Sequence, residues 1–181
     1  MPDKEDTYHW SLNILPKPKF KSKSRNKNKD IGIGTTYHVR DLPTPIPSTT
    51  GTGTDMIFKW TYEERSTTLD TMVLVRVLIG KVVDWEGLVG ILRGVPVGGQ
   101  EEGEEGWNCV SWVRGAIERI RDGGEEVLGK GSVLEWRVVR DAAMGFVERK
   151  MGEGWFRSGG QGNYEVGMVA MWDLVGEREV G

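Results

Sequence analysis

Cysteine and histidine are scarce in this chain of 181 residues, which contains one cysteine and two histidines. A single cysteine excludes an internal disulfide framework and is typical of a protein in a reducing compartment. Long apolar runs are also absent, since no stretch approaches the roughly 18–20 residues of a membrane-spanning helix. The polar start MPDKED indicates no secretory signal. We therefore expect a cytoplasmic protein without a transmembrane segment.

The charge balance is nearly even, with a formal net charge of −3 at pH 7. A net charge of this sign does not favour nucleic-acid binding by the chain as a whole. The exception is a basic segment, residues 17–29, in which seven Lys or Arg residues alternate with Ser, Asn, Pro and a single Phe. We interpret it as a solvated, flexible insertion. The alternatives are a nuclear localisation signal and a contact with an anionic surface.

The length suits one domain over residues 1–181 with a core of ordinary size. Four segments have the composition of insertions or tails rather than of core elements. They are the basic segment 17–30, a Pro-, Thr- and Gly-rich loop over 42–55, an acidic glycine-rich loop over 98–106, and a glycine-rich tail from residue 151. Within that tail only Met168–Val175 is apolar enough to pack as a short strand or turn.

Alternating and β-branched patterns predict four strands ahead of the helices. They are Tyr8–Leu15, Thr36–Asp41, Met56–Glu64 and Met72–Val83. The last is almost continuously apolar, so we predict a central strand covered on both faces and bent at Gly80.

Capping residues and a 3.6-residue apolar period predict three helices. Asp84 would cap a short helix that ends near Leu92, and Asn108 would cap a helix from Cys109 to about Arg121. Ser132 and Glu135 form a capping-box pattern for a helix over 133–150.

Cys109 lies where the second of these helices begins. The dipole of a helix favours a thiolate at its N-terminus, and a thiolate is the nucleophile of thiol chemistry. Cys109 is therefore a candidate nucleophile. The alternative is that it is a small buried apolar residue of the core.

The two histidines, His9 and His38, both fall in predicted strands and both follow a tyrosine. A sulfur nucleophile needs a base to remove its proton, and the base works better when a third polar group holds its ring. A helix start packed on a sheet that carries both histidines would bring the three side chains together. The alternative is that both are hydrogen-bonded strand histidines without a catalytic role.

Three short motifs resemble those of a known enzyme group. His9-Trp10-Ser11-Leu12 resembles the first histidine strand of the lecithin:retinol acyltransferase-like thiol hydrolases, and Tyr37-His38-Val39 resembles their second. Asn108–Val113 is similar to their NC-x-x-F-V helix start. The order of histidine strands before the cysteine helix marks the circularly permuted NlpC/papain-like superfamily, which also includes the PPPDE-type isopeptidases.

The chain also resembles, over most of its length, an uncharacterised family of fungal proteins. The shared patterns are Y-H, then L-V-R-x-L-I-G-K-V at residues 74–82, then W-N-C-x-x-W-V at residues 107–113. This second resemblance implies no activity.

The enzyme resemblance implies an α+β fold of the permuted papain-like (NlpC) type, an antiparallel sheet with packed helices. It also implies roles: His9 as general base, His38 as the residue that orients it, and Cys109 as nucleophile. One departure is Ser111, where the acyltransferases usually carry a histidine.

We therefore expect a cysteine-dependent hydrolase or acyltransferase that acts on an amide, isopeptide or ester through an acyl-Cys109 intermediate. No cofactor and no metal are implied, because one cysteine and two histidines at this spacing do not form a recognisable zinc site; the alternative is a Cys-His-His site with an open position. The second hypothesis is a catalytically inactive interaction protein with the same fold. The third and weakest is association with nucleic acid or an anionic membrane through residues 17–29.

Overall fold

A computed structural model describes residues 7–16, 34–48, 51–67, 73–98, 106–123, 127–156 and 169–180. Within these ranges the chain forms six strands and three helices. The strands are β1 (Leu12–Ile14), β2 (Gly34–Pro47), β3 (Thr54–Thr67), β4 (Val75–Leu78), β5 (Ala170–Asp173) and β6 (Arg178–Val180), and the helices are α1 (Trp85–Arg93), α2 (Cys109–Asp122) and α3 (Trp136–Gly152). The predicted α+β class is confirmed. None of the described helices has both the length and the apolar character that crossing a membrane requires.

The first sheet is antiparallel throughout, in the order β1-β2-β3. It contains the first three predicted strands, although β1 is shorter than the predicted Tyr8–Leu15. The prediction of a loop over 42–55 is wrong for residues 42–47 and 54–55, because β2 and β3 pair without interruption from Gly34↔Thr67 to Pro47↔Thr54. The prolines of this stretch alternate with other residues, and a residue that precedes proline is driven into an extended conformation. A proline-rich sequence therefore continues the strand.

The second sheet is mixed, in the order β4-β5-β6, with β4 and β5 parallel and β5 and β6 antiparallel. The predicted central strand Met72–Val83 is wrong in extent and position, since β4 spans four residues and lies at the edge of this sheet. Beyond β4 the chain bonds to a different segment. Ile79 accepts a hydrogen bond from Val133 at 2.7 Å, and Val82 pairs with Leu128.

Gly80 permits this change of partner. A Cβ atom at Gly80 would collide with the side chain of Ser132, so only glycine allows the two segments to approach this closely. The predicted bend at Gly80 thus marks the end of regular strand pairing.

Helices α1 and α2 confirm the predictions made from their caps. Asp84 accepts a hydrogen bond from the N–H of Gly87, and Asn108 accepts from two N–H groups of α2. The third prediction is wrong at its start. Ser132 donates to the carbonyl of Gly129 at 2.7 Å instead of capping a helix, and α3 begins at Trp136 with no side-chain cap. The hydrogen bond from Val133 to Ile79 holds this segment against residue 79, so the segment does not join the helix.

The glycine-rich tail predicted from residue 151 is also wrong in part, because α3 continues to Gly152 and the C-terminal region forms β5 and β6. The strand alternative for Met168–Val175 is confirmed by β5. The basic segment 17–30 and residues 99–105 of the acidic loop lie outside the described residues.

Helix α2 is the centre of the core. Its buried face packs against the β2–β3 hairpin and the other helices, and consists of Cys109, Val110, Trp112, Val113, Ala116, Ile117 and Ile120. The ring of Trp112 lies 5.7 Å from that of Tyr62, centroid to centroid. On β2, Tyr37 and Val39 belong to the same cluster. This packing holds the start of α2 close to the first sheet.

The core assignment predicts unequal effects of one substitution at two helical valines. Val113 of α2 is 2 % exposed, whereas Val138 of α3 is 45 % exposed. Val113→Ala removes two buried methyl groups, so we expect the free energy of unfolding to fall by about 2–3 kcal/mol. Val138→Ala makes the same change in helix propensity at an exposed site. It should change the free energy of unfolding by less than about 0.5 kcal/mol. Urea unfolding of both variants gives the comparison, and equal losses would contradict the core described here.

Candidate active site

The start of α2 is fixed by a reciprocal pair of caps. The side-chain oxygen of Asn108 accepts from the N–H of Val110 at 2.8 Å and from that of Ser111 at 3.2 Å. The hydroxyl of Ser111 in turn accepts from the N–H of Asn108 at 3.4 Å. Ser111, where the sequence differs from the acyltransferase-like pattern, thus has a structural role in the cap. The caps anchor the first turn of the helix, which begins at Cys109.

Cys109 lies beside the main chain around His9. The backbone N–H of Trp10 points to the sulfur at 3.5 Å, and the sulfur lies 3.8 Å from the carbonyl oxygen of Tyr8. These two groups flank His9 in the sequence, so the helix start and the first histidine are neighbours. The Cys109 side chain is 8 % exposed and is not in a disulfide.

The two histidines are joined directly. Nε2 of His9 lies 2.8 Å from Nδ1 of His38, and the two rings are edge-on with their centroids 5.0 Å apart. His38 is buried on β2, whereas His9 lies just before β1 and is exposed. The predicted meeting of the two histidines is thus present in the structure, and Cys109 lies against the segment that carries one of them.

Glu63 is a fourth member of the site, and the sequence interpretation missed it. It lies on β3 directly opposite His38, and its Oε2 is 3.3 Å from Nε2 of His38. That contact does not have the geometry of a hydrogen bond, so Nε2 has no hydrogen-bond partner in the described part of the chain. The guanidinium of Arg40 holds the same carboxylate oxygen from 3.4 Å. The sequence does contain a signal for Glu63. If β2 is extended through the prolines to a short turn, the hairpin register places Glu63 opposite His38.

The chain of contacts favours one tautomer for each ring. A carboxylate only accepts hydrogen bonds, so Glu63 favours a proton on Nε2 of His38. Nδ1 of His38 then accepts, and the proton of its bond to His9 belongs to Nε2 of His9. A neutral His9 in this state carries its lone pair on Nδ1. A base with its lone pair on Nδ1, on a segment whose main chain contacts the sulfur of a helix-start cysteine, has the tautomer that can take a thiol proton.

Both rings are disposed to be neutral. Although His9 is exposed as a residue, partial burial of its ring and, after it, the charge of Arg40 lower the pKa of His9 below 6.5. Burial lowers the pKa of His38 as well, and neighbouring His9 adds to this effect, while Glu63 acts in the opposite direction. A neutral base at pH 7 is ready to accept a proton.

The helix cap limits where an oxyanion could bind. The N–H groups of Val110 and Ser111 both donate to Asn108, so neither is available to a developing negative charge. As for metals, no group of three or more His, Cys, Asp or Glu side chains within the described ranges is placed to hold an ion.

The lowered pKa values predict how stability depends on pH. As pH falls below 6.5, the unfolded chain binds protons at His9 and His38 more readily than the native protein, so the free energy of unfolding must decrease. His38→Asn keeps a hydrogen-bond acceptor for His9 but cannot titrate. We expect wild type to lose more stability than this variant between pH 7.5 and 5.5, measured by urea unfolding. Equal losses in the two proteins would contradict the neutral pair.

Comparison with known proteins identifies a family but no activity. No curated protein matches the chain significantly, and neither does any solved structure. The match to a family covers residues 1–181, the whole chain. The protein belongs to a family of unknown function, DUF6914.

Proposed function

We propose that the protein is a cysteine-dependent hydrolase or acyltransferase, with Cys109 as nucleophile, His9 as general base, and His38 and Glu63 as positioning residues. The observations that carry the proposal are the bonded pair His9–His38 and the contacts of the Cys109 sulfur with the main chain on either side of His9. The substrate class is an amide, isopeptide or ester, because a thiolate attacks a carbonyl carbon and forms a thioester.

In the proposed reaction, Nδ1 of His9 removes the thiol proton as the sulfur attacks the carbonyl carbon. The sulfur–carbon bond forms, and the carbon–nitrogen or carbon–oxygen bond to the leaving group then breaks. His9 donates the proton to that leaving group. Water, or an acceptor alcohol or amine, next loses a proton to His9 and attacks the thioester, and the returning proton restores the thiol. The lone pair on Nδ1 serves both half-reactions.

His38 and Glu63 act through His9 in this scheme. When His9 gains a proton, Nδ1 of His38 continues to accept from Nε2 of His9, and the carboxylate of Glu63 faces the far side of His38. The pair therefore keeps the base in one orientation.

A permuted papain-like fold is part of the proposal. Its support is the order of elements: the antiparallel strands that carry the histidine pair precede the helix that begins with the cysteine. The helix packs on the same sheet, as the resemblance of the three motifs implies.

The second candidate is an inactive interaction protein with the same fold, and one observation favours it. Cys109 is almost fully buried, and the contacts at 3.5 and 3.8 Å that place its sulfur are with main-chain atoms. A sulfur in this setting resembles a packed core residue. Catalysis requires a substrate to reach it past the segment that carries His9.

A small activated ester tests the proposal. We expect p-nitrophenyl acetate to acetylate Cys109, detected by intact mass and peptide mapping, with release of p-nitrophenolate. Cys109→Ala should abolish the adduct. His9→Ala should slow it by at least about a hundredfold at pH 7, since a general base typically contributes 10²–10⁴-fold. His38→Asn should retain more activity than His38→Ala, because asparagine preserves the acceptor.

The matched control is Glu118→Gln, a charge removal on the exposed side of α2 in an ion pair with Arg114. Its rate should equal that of wild type, and each variant must keep the helical circular dichroism of wild type. Labelling at lysines instead of Cys109, or a rate that is unchanged in His9→Ala, would reject catalysis and leave the interaction protein.

A further inference from the structure

The outer half of the β2–β3 hairpin is a two-stranded ribbon. The short strand β1 pairs with β2 only at Thr35–Tyr37, whereas β2 and β3 continue together to Pro47↔Thr54. A ribbon of two strands is marginally stable in water without a further strand or a covering layer. The two edges of this ribbon are therefore the places to look for a partner.

The β2 edge of the ribbon is closed to further pairing. Pro43, Pro45 and Pro47 occupy alternate positions, so the N–H groups that they lack would all lie on one edge. Because the pairing with β3 is uninterrupted, that edge is the one away from β3. An added strand would find no donor at these three positions, and proline at an edge is a recognised protection against strand addition.

The β3 edge is open. No proline occurs in Thr54–Thr67, and its register with β2 contains no bulge. Phe58 and Met56 lie opposite Pro43 and Pro45, so their N–H and C=O groups face away from β2. In the described part of the chain, β3 is the edge strand of its sheet.

This open edge is also apolar at its surface. Phe58 is 71 % exposed, and Met56 beside it on the same face is exposed too, as is Ile57 on the opposite face. Exposed apolar residues on a regular edge strand are the usual setting for pairing with another chain.

We infer that two copies of this protein pair through β3, antiparallel, across a two-fold axis at Ile57. The two strands would then form one continuous sheet of six strands from two copies of β1-β2-β3. The axis places Met56 opposite Phe58 of the second copy, and both of these residues have outward-facing main-chain groups. The pairing therefore satisfies the open donors and acceptors of both chains.

The charged residues of β3 favour a second copy of the protein as the partner strand, and they favour this register. Pairing about Ile57 sets Asp55 opposite Lys59 of the second copy, and the symmetry produces the contact twice. Asp55, Ile57 and Lys59 lie on one face of β3, so the two ion pairs flank an apolar centre. Centring the axis on Lys59 would instead place like charges opposite each other, which disfavours that register.

Charge reversal tests the inference by sedimentation velocity over a range of protein concentrations. We expect wild type to dimerise reversibly. Asp55→Lys and Lys59→Asp should each weaken self-association by at least about fivefold, since each sets like charges opposite each other. An equimolar mixture of the two variants should restore dimers, because every pair in the heterodimer is then complementary. The double variant Asp55→Lys/Lys59→Asp should dimerise like wild type.

Glu118→Lys on the exposed side of α2 is the control, and its self-association should match that of wild type. Recovery in the mixture also shows that both single variants are folded. A wild-type protein that stays monomeric at all accessible concentrations would overturn the inference. So would single variants that associate as tightly as wild type, or a mixture that associates no better than its components. None of these results bears on the chemistry of Cys109.

Discussion

The hydrogen bond between His9 and His38 is the interaction on which the candidate site depends. Its two rings come from different segments, one just before β1 and one within β2, and Glu63 comes from β3. The antiparallel register therefore assembles the site. A slip of one residue between β2 and β3 would move every side chain of one strand to the other face and separate His38 from Glu63. The core packing of Tyr37 and Val39, which flank His38, opposes such a slip. The stability of the sheet and the geometry of the candidate site thus depend on the same main-chain hydrogen bonds.

Local signals in the sequence predicted the parts of the structure whose determinants are local. The Asn108 cap, the Asp84 cap and the alternating strands each depend on hydrogen bonds or burial within a few residues. The failures share a different cause. The start of α3 and the length of β4 are decided by pairing between residues 79–83 and 127–133, about fifty positions apart in the sequence. Glu63 was missed because the prolines of β2 were interpreted as a loop, and without that strand no register placed it opposite His38.

The electrostatics of the site favour one kind of activation. Burial of the ring and the charge of Arg40 lower the His9 pKa, which disfavours an imidazolium at this position. For the proposed reaction this favours proton removal by a neutral imidazole during attack, at a helix start whose dipole favours the developing thiolate. Ser111 has a structural role at this helix start, because its hydroxyl completes the cap. The departure from the acyltransferase motif therefore has a physical explanation in the geometry of the helix start.

The rate of Cys109 alkylation by iodoacetamide as a function of pH, in wild type and in His9→Ala, tests the central claim most directly. An ordinary cysteine thiol titrates near about 8.5. If His9 is the base, the alkylation rate in wild type remains high as pH falls, until His9 itself is protonated. This happens below the usual histidine pKa of about 6.5. In His9→Ala the profile then moves up towards that of an ordinary thiol. A wild-type profile centred near 8.5, or one that is the same in both proteins, would contradict the account.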